Sequence, residues 1–335
     1  MIDLALQGGG SHGAFTAGVL DALLEDGRLR FDGVSGTSAG AMNAVVLADA
    51  LARAHDDGQD DAQAREAARK ALRRFWDRVG LMGNFMAGVP LPTAQTLATI
   101  FTQWLSPAQM NPLGLNPLRQ WLQSEIDFER LARQRQIKVF VSATNVRTGR
   151  GEVFSGQRLS VDAVMASACL PTLFQAVQIG DDYYWDGGYS GNPVIHPLIY
   201  HTQSADVLLV QINPIEAPWT PAASALDIME RVNEITFNAS LLAEMRAIEF
   251  VSRLLAEGRL DPDRYRNVLL HRVDGGAALA TFGAASKSRA DSAFIARLYD
   301  LGRGAGGDWL RTHFDDIGVR SSVARVAHHE IHHTT

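Results

Sequence analysis

The stretch FDGVSGTSAGAMNAVV, residues 31–46, decides how this chain folds. A short run ends on Gly36, Gly36-Thr37-Ser38-Ala39-Gly40 follows, and a long Ala-rich apolar stretch continues to about residue 54. That order reads as strand, sharp turn and helix, with G-x-S-x-G at the turn. Small flanking residues let a strained backbone pass close to its neighbours. Ser38 then stands at the amino end of a helix, whose dipole favours developing negative charge. A plain turn with a capping serine has the same letters, so the motif needs support from elsewhere in the chain.

Upstream lies MIDLALQGGGSHGAF, residues 1–15. Residues 2–7 read as a buried strand, and Phe15, Val19, Leu20, Leu23 and Leu24 recur at helical spacing over 14–25. Between them, Gly8, Gly10 and Gly13 satisfy G-x-G-x-x-G, the fingerprint of a dinucleotide loop. A dinucleotide site wants an acid at the carboxyl end of the second strand. The acid here, Asp32, opens that strand on the opposite edge of the sheet. Open α/β sheets place their sites at the carboxyl ends of strands, and both glycine-rich turns lie there. Together they suit a nucleophile and an anion hole. The anion is the oxyanion of a tetrahedral acyl intermediate, and the N–H groups of Gly9 and Gly10 are its expected donors.

A serine hydroxyl needs a general base. The chain has ten histidines. His196 and His271 lie downstream, but neither sits in a glycine-flanked loop, and His196 in NPVIHPL reads as a helix-start or packing residue. The elbow is also too early for an α/β-hydrolase, since one strand and one helix precede it. Asp186 is the better candidate. It ends the apolar strand DDYYWD, and Gly187 and Gly188 follow it in a sharp turn. The competing reading is a hairpin-turn aspartate.

Further strands are expected at 137–144, around 152–154, at 206–214 (DVLLVQINP) and at 267–273 (NVLLHRV). Helices are expected at 60–79, at 160–168, over 225–257 and near the end of the chain. Strands alternating with helices point to a mostly parallel sheet covered on both faces. Residues 84–105 carry many apolar side chains and almost no charge. Leu97, Ile100 or Phe101, and Trp104 fall on one face of a helix that serves either as a lid or lipid-docking face, or as packing against the domain or a partner copy.

Composition narrows the function. The chain has 335 residues, 46% hydrophobic and 20% charged, with 31 basic against 37 acidic residues and a formal charge of −6. No long basic run appears, so nucleic acid is not an expected partner. A single cysteine, Cys169, excludes a disulfide within the chain and a cysteine-based zinc site. No charged segment followed by an apolar run opens the sequence, and no stretch of about 18 apolar residues occurs. A cytoplasmic protein is expected, with contact at lipid surfaces. His328 and His332 in HHEIHH have chelating spacing, though a terminal tail of this kind reads first as disordered.

G-G-G-x-x-G, G-T-S-A-G and D-G-G, each at a strand end, resemble the patatin-like phospholipase family over roughly residues 3–200. The resemblance extends to ASACLPTLFQAV, residues 166–177. It implies an α/β three-layer sandwich with a mixed, largely parallel central sheet flanked by helices. The whole chain forms one unit, in which 3–200 is the catalytic core and 201–335 completes the fold. It makes Ser38 the nucleophile and Asp186 the proton acceptor of a dyad without histidine. Gly8, Gly9 and Gly10 line the oxyanion loop, and Gly13, Gly36, Gly40, Gly187 and Gly188 complete the motifs. No metal or cofactor is implied, and the partner is a lipid or other acyl ester. Many members carry Arg or Lys where this chain has His12, which serves either as a hydrogen-bond donor or as packing under the loop. The alternatives are a nucleotide-binding protein built on Gly8, Gly10 and Gly13, and a scaffold of the same fold without catalysis.

Overall fold

The computed structural model describes residues 1–87, 116–171, 173–216 and 225–323. Strand β1 (Ile2–Leu6) lies at the centre of the sheet and is buried throughout. It leads through the glycine turn into helix α1 (Gly13–Asp26), and β2 (Phe31–Gly36) leads through the elbow into α2 (Ala39–Asp56). Helix α3 covers Asp61–Ala87. It runs past the expected end near 79, because Gly80 and Gly83 let its backbone pass directly against residues 290–292.

Two short helices that hydrophobic spacing did not mark follow, α4 (Pro117–Glu125) and α5 (Phe128–Arg133). Each is set by its cap. Asn116 accepts from the N–H groups of Leu118 and Arg119, and Asp127 accepts from that of Arg130. Strands β3 (Lys138–Asn145) and β4 (Gly151–Phe154), helix α6 (Val161–Ser167), and strands β5 (Val177–Ile179) and β6 (Asp182–Asp186) come next. The rest comprises α7 (His196–His201), β7 (Asp206–Gln211), α8 (Ala225–Ala256), β8 (Leu269–Asp274), α9 (Gly276–Ala280) and α10 (Ser292–His313).

The sheet runs β5-β6-β3-β2-β1-β7-β8, with β4 paired to β3 off this path. Pairings from β3 through β2, β1 and β7 to β8 are parallel, and those of β3 with β4, β3 with β6, and β5 with β6 are antiparallel. Alternation along the strands sorts the core into two faces. Leu4, Leu6, Leu208 and Val210 pack with α1, α2, α3 and α10. Ala5, Val207 and Leu209 pack on the other side with Ile195, Leu198, Leu241, Met245 and Ile248 of the α7 and α8 regions. The result is a helix–sheet–helix sandwich around a mixed, largely parallel sheet.

Candidate active site

Ser38 occupies the residue between β2 and α2 at φ 55°, ψ −121°. Among the described residues it is the only non-glycine with positive φ. The turn closes through Gly40 N–H donating to Thr37 O (2.8 Å) and Met42 N–H donating to Ser38 O (3.2 Å). The motif glycines are there for space. A Cβ on Gly36 would strike the Gly40 carbonyl, and one on Gly40 would strike the Leu6 carbonyl. Gly13 brings the start of α1 against Ala39 and the Trp76 ring, and Asn43 ties the junction by donating to Gly13 O (2.9 Å). Ser167, at the end of α6, accepts the Ser38 N–H at 2.8 Å. That N–H is therefore already engaged.

Asp186 reaches Ser38 by topology. β2 pairs with β3 up to Gly36 and Val141, and β3 continues beyond that level. β6 runs antiparallel along this extension and ends with Asp186 opposite Ala143. A strand travelling back down the sheet therefore delivers its last residue to the elbow. The Asp186 N–H donates to Cys169 O (2.8 Å), and Oδ1 accepts the Gly188 N–H (2.7 Å). Oδ2 is buried without a hydrogen-bond partner among the described residues. Burial pushes the carboxyl up to about 7, opposed by the Gly188 N–H and by the neighbouring Ser38 hydroxyl. Gly187 and Gly188 sit where a Cβ would meet Ser142 and the Phe237 ring.

The glycine turn approaches the elbow closely. A Cβ on Gly8 would lie 2.7 Å from that of Ser38. Gly10 has φ +58°, a conformation that glycine adopts without strain, and it presses on the carbonyl of Lys287. The three glycines of the loop are held differently. The Gly8 N–H donates to Asn192 Oδ1 at 2.7 Å, which removes it from the donors. The N–H groups of Gly9 and Gly10 have no acceptor among the described residues.

His12 is buried 3 residues before Phe15 in the same layer, with Nε2 2.7 Å from Ser286 Oγ and its ring against Phe282 and Phe294. Burial, and the nearby Lys287 ammonium, hold it down at about 3, so it stays neutral and packs under the loop. His196 is half-exposed at the start of α7 beside Glu244. His271 is buried between Asp206 (2.9 Å) and Ser322 (3.2 Å). This trio resembles a triad in composition only. It lies toward the amino end of β7, away from the elbow, and the Ser322 N–H is bound to Leu270 O. Asp32 accepts from Gln203 N–H and lies near Lys138 at the foot of β2, far from any site for a ribose above the glycine turn. Residues 88–105 of the expected lid, with Leu97, Ile100, Phe101 and Trp104, and the His328–His332 tail lie outside the described residues.

Sequence reading missed Asn192, Asn213 and Ser167. Two of them carried a signal: Asn192-Pro193 and Asn213-Pro214 are Asn-Pro turn pairs just beyond β6 and β7.

A serine on a strained strand-to-helix elbow, a buried carboxylate and a glycine turn meet at strand ends along one edge of the mixed sheet of an α/β protein. The chain belongs to the patatin-like phospholipase family, whose model matches residues 4–199. Two solved structures share similarity with it. VipD from Legionella pneumophila is 15% identical with a TM-score of 0.40, covering 93% of this chain and 67% of that one. ExoU, in its heterodimeric complex with SpcU from the type III secretion system of Pseudomonas aeruginosa, is 17% identical with a TM-score of 0.37. That match covers 94% of this chain and 52% of the ExoU chain, so the chain spans about half of it. No curated protein matches. Among the described residues, no helix is long and apolar enough to cross a membrane.

Proposed function

We propose that this chain hydrolyses lipid acyl esters through a Ser38–Asp186 dyad. The observation that carries this reading is the strained Ser38, whose hydroxyl acts on the buried Asp186 carboxyl, while Oδ2 of that carboxyl has no hydrogen-bond partner among the described residues. In the reaction, Asp186 accepts the Ser38 proton as Oγ attacks the ester carbonyl. Negative charge collects on the carbonyl oxygen, facing the N–H groups of Gly9 and Gly10 and the amino end of α2. Collapse expels the alcohol, which takes the proton from Asp186. Water then attacks the acyl-serine, giving its proton to Asp186, and Ser38 Oγ takes that proton back as the acid leaves.

Exposed apolar side chains on elements that border the site support a lipid substrate. Leu173 and Phe174 are exposed on the loop that follows Cys169. Ile228, Val232 and Ile235 are exposed on the first half of α8, at i, i+4 and i+7, which places them on one face. α8 also packs Phe237 against Gly188. These exposed apolar side chains suit contact with a lipid surface.

A fluorophosphonate probe and a panel of acyl esters and phospholipids test the reading. Ser38 should be labelled in the wild type, and Ser38→Ala and Asp186→Asn should both be folded and inactive. Asp186→Asn is nearly isosteric but cannot take a proton. Labelling elsewhere with Ser38 untouched, or full activity in Asp186→Asn, would overturn it.

A further inference from the structure

The peptide unit joining Gly8 to Gly9 is planar and trans, so its carbonyl and its N–H point in opposite directions. Whatever holds the Gly8 carbonyl therefore aims the Gly9 N–H. Two side-chain amides hold it: Asn213 Nδ2 donates at 2.6 Å and Asn192 Nδ2 at 3.2 Å. Asn213 is itself clamped through its backbone, because its N–H donates to Oε1 of the buried Gln7 at 2.7 Å.

An asparagine amide presents oxygen or nitrogen depending on its rotation, and only the nitrogen can serve the Gly8 carbonyl. The choice is made by Lys287. Its ammonium donates to Asn213 Oδ1 at 2.6 Å, and an ammonium cannot accept from an NH₂ group. Lys287 also pairs at 2.6 Å with Glu234 of α8, and both side chains are largely buried. The Ser11 hydroxyl, on the loop, donates to the carbonyls of Ser286 and Lys287 at 3.0 and 3.1 Å. With its charge balanced by Glu234, the contribution of Lys287 is one of orientation.

We infer that Lys287 and Asn213 are positioning residues for the oxyanion donor: Lys287 fixes the Asn213 amide, Asn213 fixes the Gly8 carbonyl, and the Gly9 N–H is thereby aimed at the reacting carbonyl oxygen. Asn213 and Lys287 both lie beyond the residues that the family model matches. The inference rests on the Ser38–Asp186 reading.

The test compares a p-nitrophenyl oxo ester with its thiono counterpart in the full chain. Thiocarbonyl sulfur is a poor hydrogen-bond acceptor, so a well-aimed donor favours the oxo ester. Asn213→Asp is isosteric and keeps the contact to Lys287, but it sets an oxygen against the Gly8 carbonyl. Lys287→Met removes the ammonium, and Lys287→Arg restores a charged donor. Asn213→Asp and Lys287→Met should each lower kcat on the oxo ester about tenfold to a hundredfold, leave KM within about twofold, and shrink the oxo/thiono preference by a similar factor. Lys287→Arg should recover most of both. Should Lys287→Met fail to fold, Asn213→Asp carries the test. An unchanged kcat and preference in folded Asn213→Asp, or equal losses on both esters, overturns the inference while the dyad stands. A wild type without Ser38-dependent turnover overturns the dyad, and the inference with it.

Discussion

Holding Ser38 at φ 55° costs on the order of 1–3 kcal/mol, because Cβ crowds the backbone there. The cost is met by contacts that allow no other path, namely the Gly40–Thr37 bond and the glycines facing Leu6 and Gly40 itself. Asp186 stores energy differently, as a carboxyl raised to about 7 by burial. Only its ionised form can take the serine proton. Activity should therefore fall as pH drops through 7, where an ordinary carboxylate would still be ionised at pH 5. We expect kcat/KM to climb through a single ionisation near pH 7 and level off above it. Ionising a neutral acid creates charge, so added organic solvent should move that limb upward, whereas an imidazolium would hardly respond. A limb that ignores solvent points to a histidine. Residues of this kind were legible because their backbones demand particular letters: glycine beside the elbow, serine at its crest, aspartate before two glycines. The roles of Asn192, Asn213 and Lys287 were not: an Asn-Pro pair marks a turn, but each residue acts through space on Gly8 or its partner from far along the chain, which no local spacing records.

At the scale of elements, α1 is fixed by α10. A Cβ on Gly18 would strike the Tyr299 carbonyl, and one on Gly302 the Phe15 carbonyl, so the two helices touch backbone to backbone. Asp21, buried on α1, pairs with Arg303 of α10 and with Arg69 of α3. Since α1 begins at the glycine turn, this contact sets where the turn sits. Four glycines in α10 weaken it as a helix, at about 1 kcal/mol each relative to alanine. Gly302 and Gly306 have neighbours that need the space, whereas Gly304 and Gly307 have none within 4 Å. Gly302→Leu should destabilise by about 3 kcal/mol or more through overpacking, and Gly304→Ala should stabilise by about 0.4–1 kcal/mol. Thermal denaturation of the two variants checks both signs. Apart from β5, the strands were readable from their own letters, as were the long helices. The return of β6 along β3 was not, because strand direction depends on which edge is already taken rather than on the strand's own letters.

For the molecule as a whole, the family match ends at residue 199 while the sheet does not. β7 pairs with β1 along Asp3 to Leu6, and β8 extends it. A fragment of residues 1–200 would leave β1, a fully buried strand, as an open edge, and would strip α10 from α1. Size-exclusion chromatography should find that fragment aggregated, and a monodisperse, folded fragment would show that 201–335 is an accessory. Aggregation would mean that the division into a core at 3–200 and a completing part at 201–335 marks where motifs fall rather than where stability lies. The seat of Gly8 also bears on the order in which the protein is synthesised. A ribosome releases Ser38 and Asp186 well before Lys287. At about 5–20 residues per second, roughly 5–20 s separate the last member of the dyad from the lysine that seats the oxyanion loop. On the proposed reading, a nascent chain carries its nucleophile at reduced power until Lys287 has left the ribosome and seated the loop.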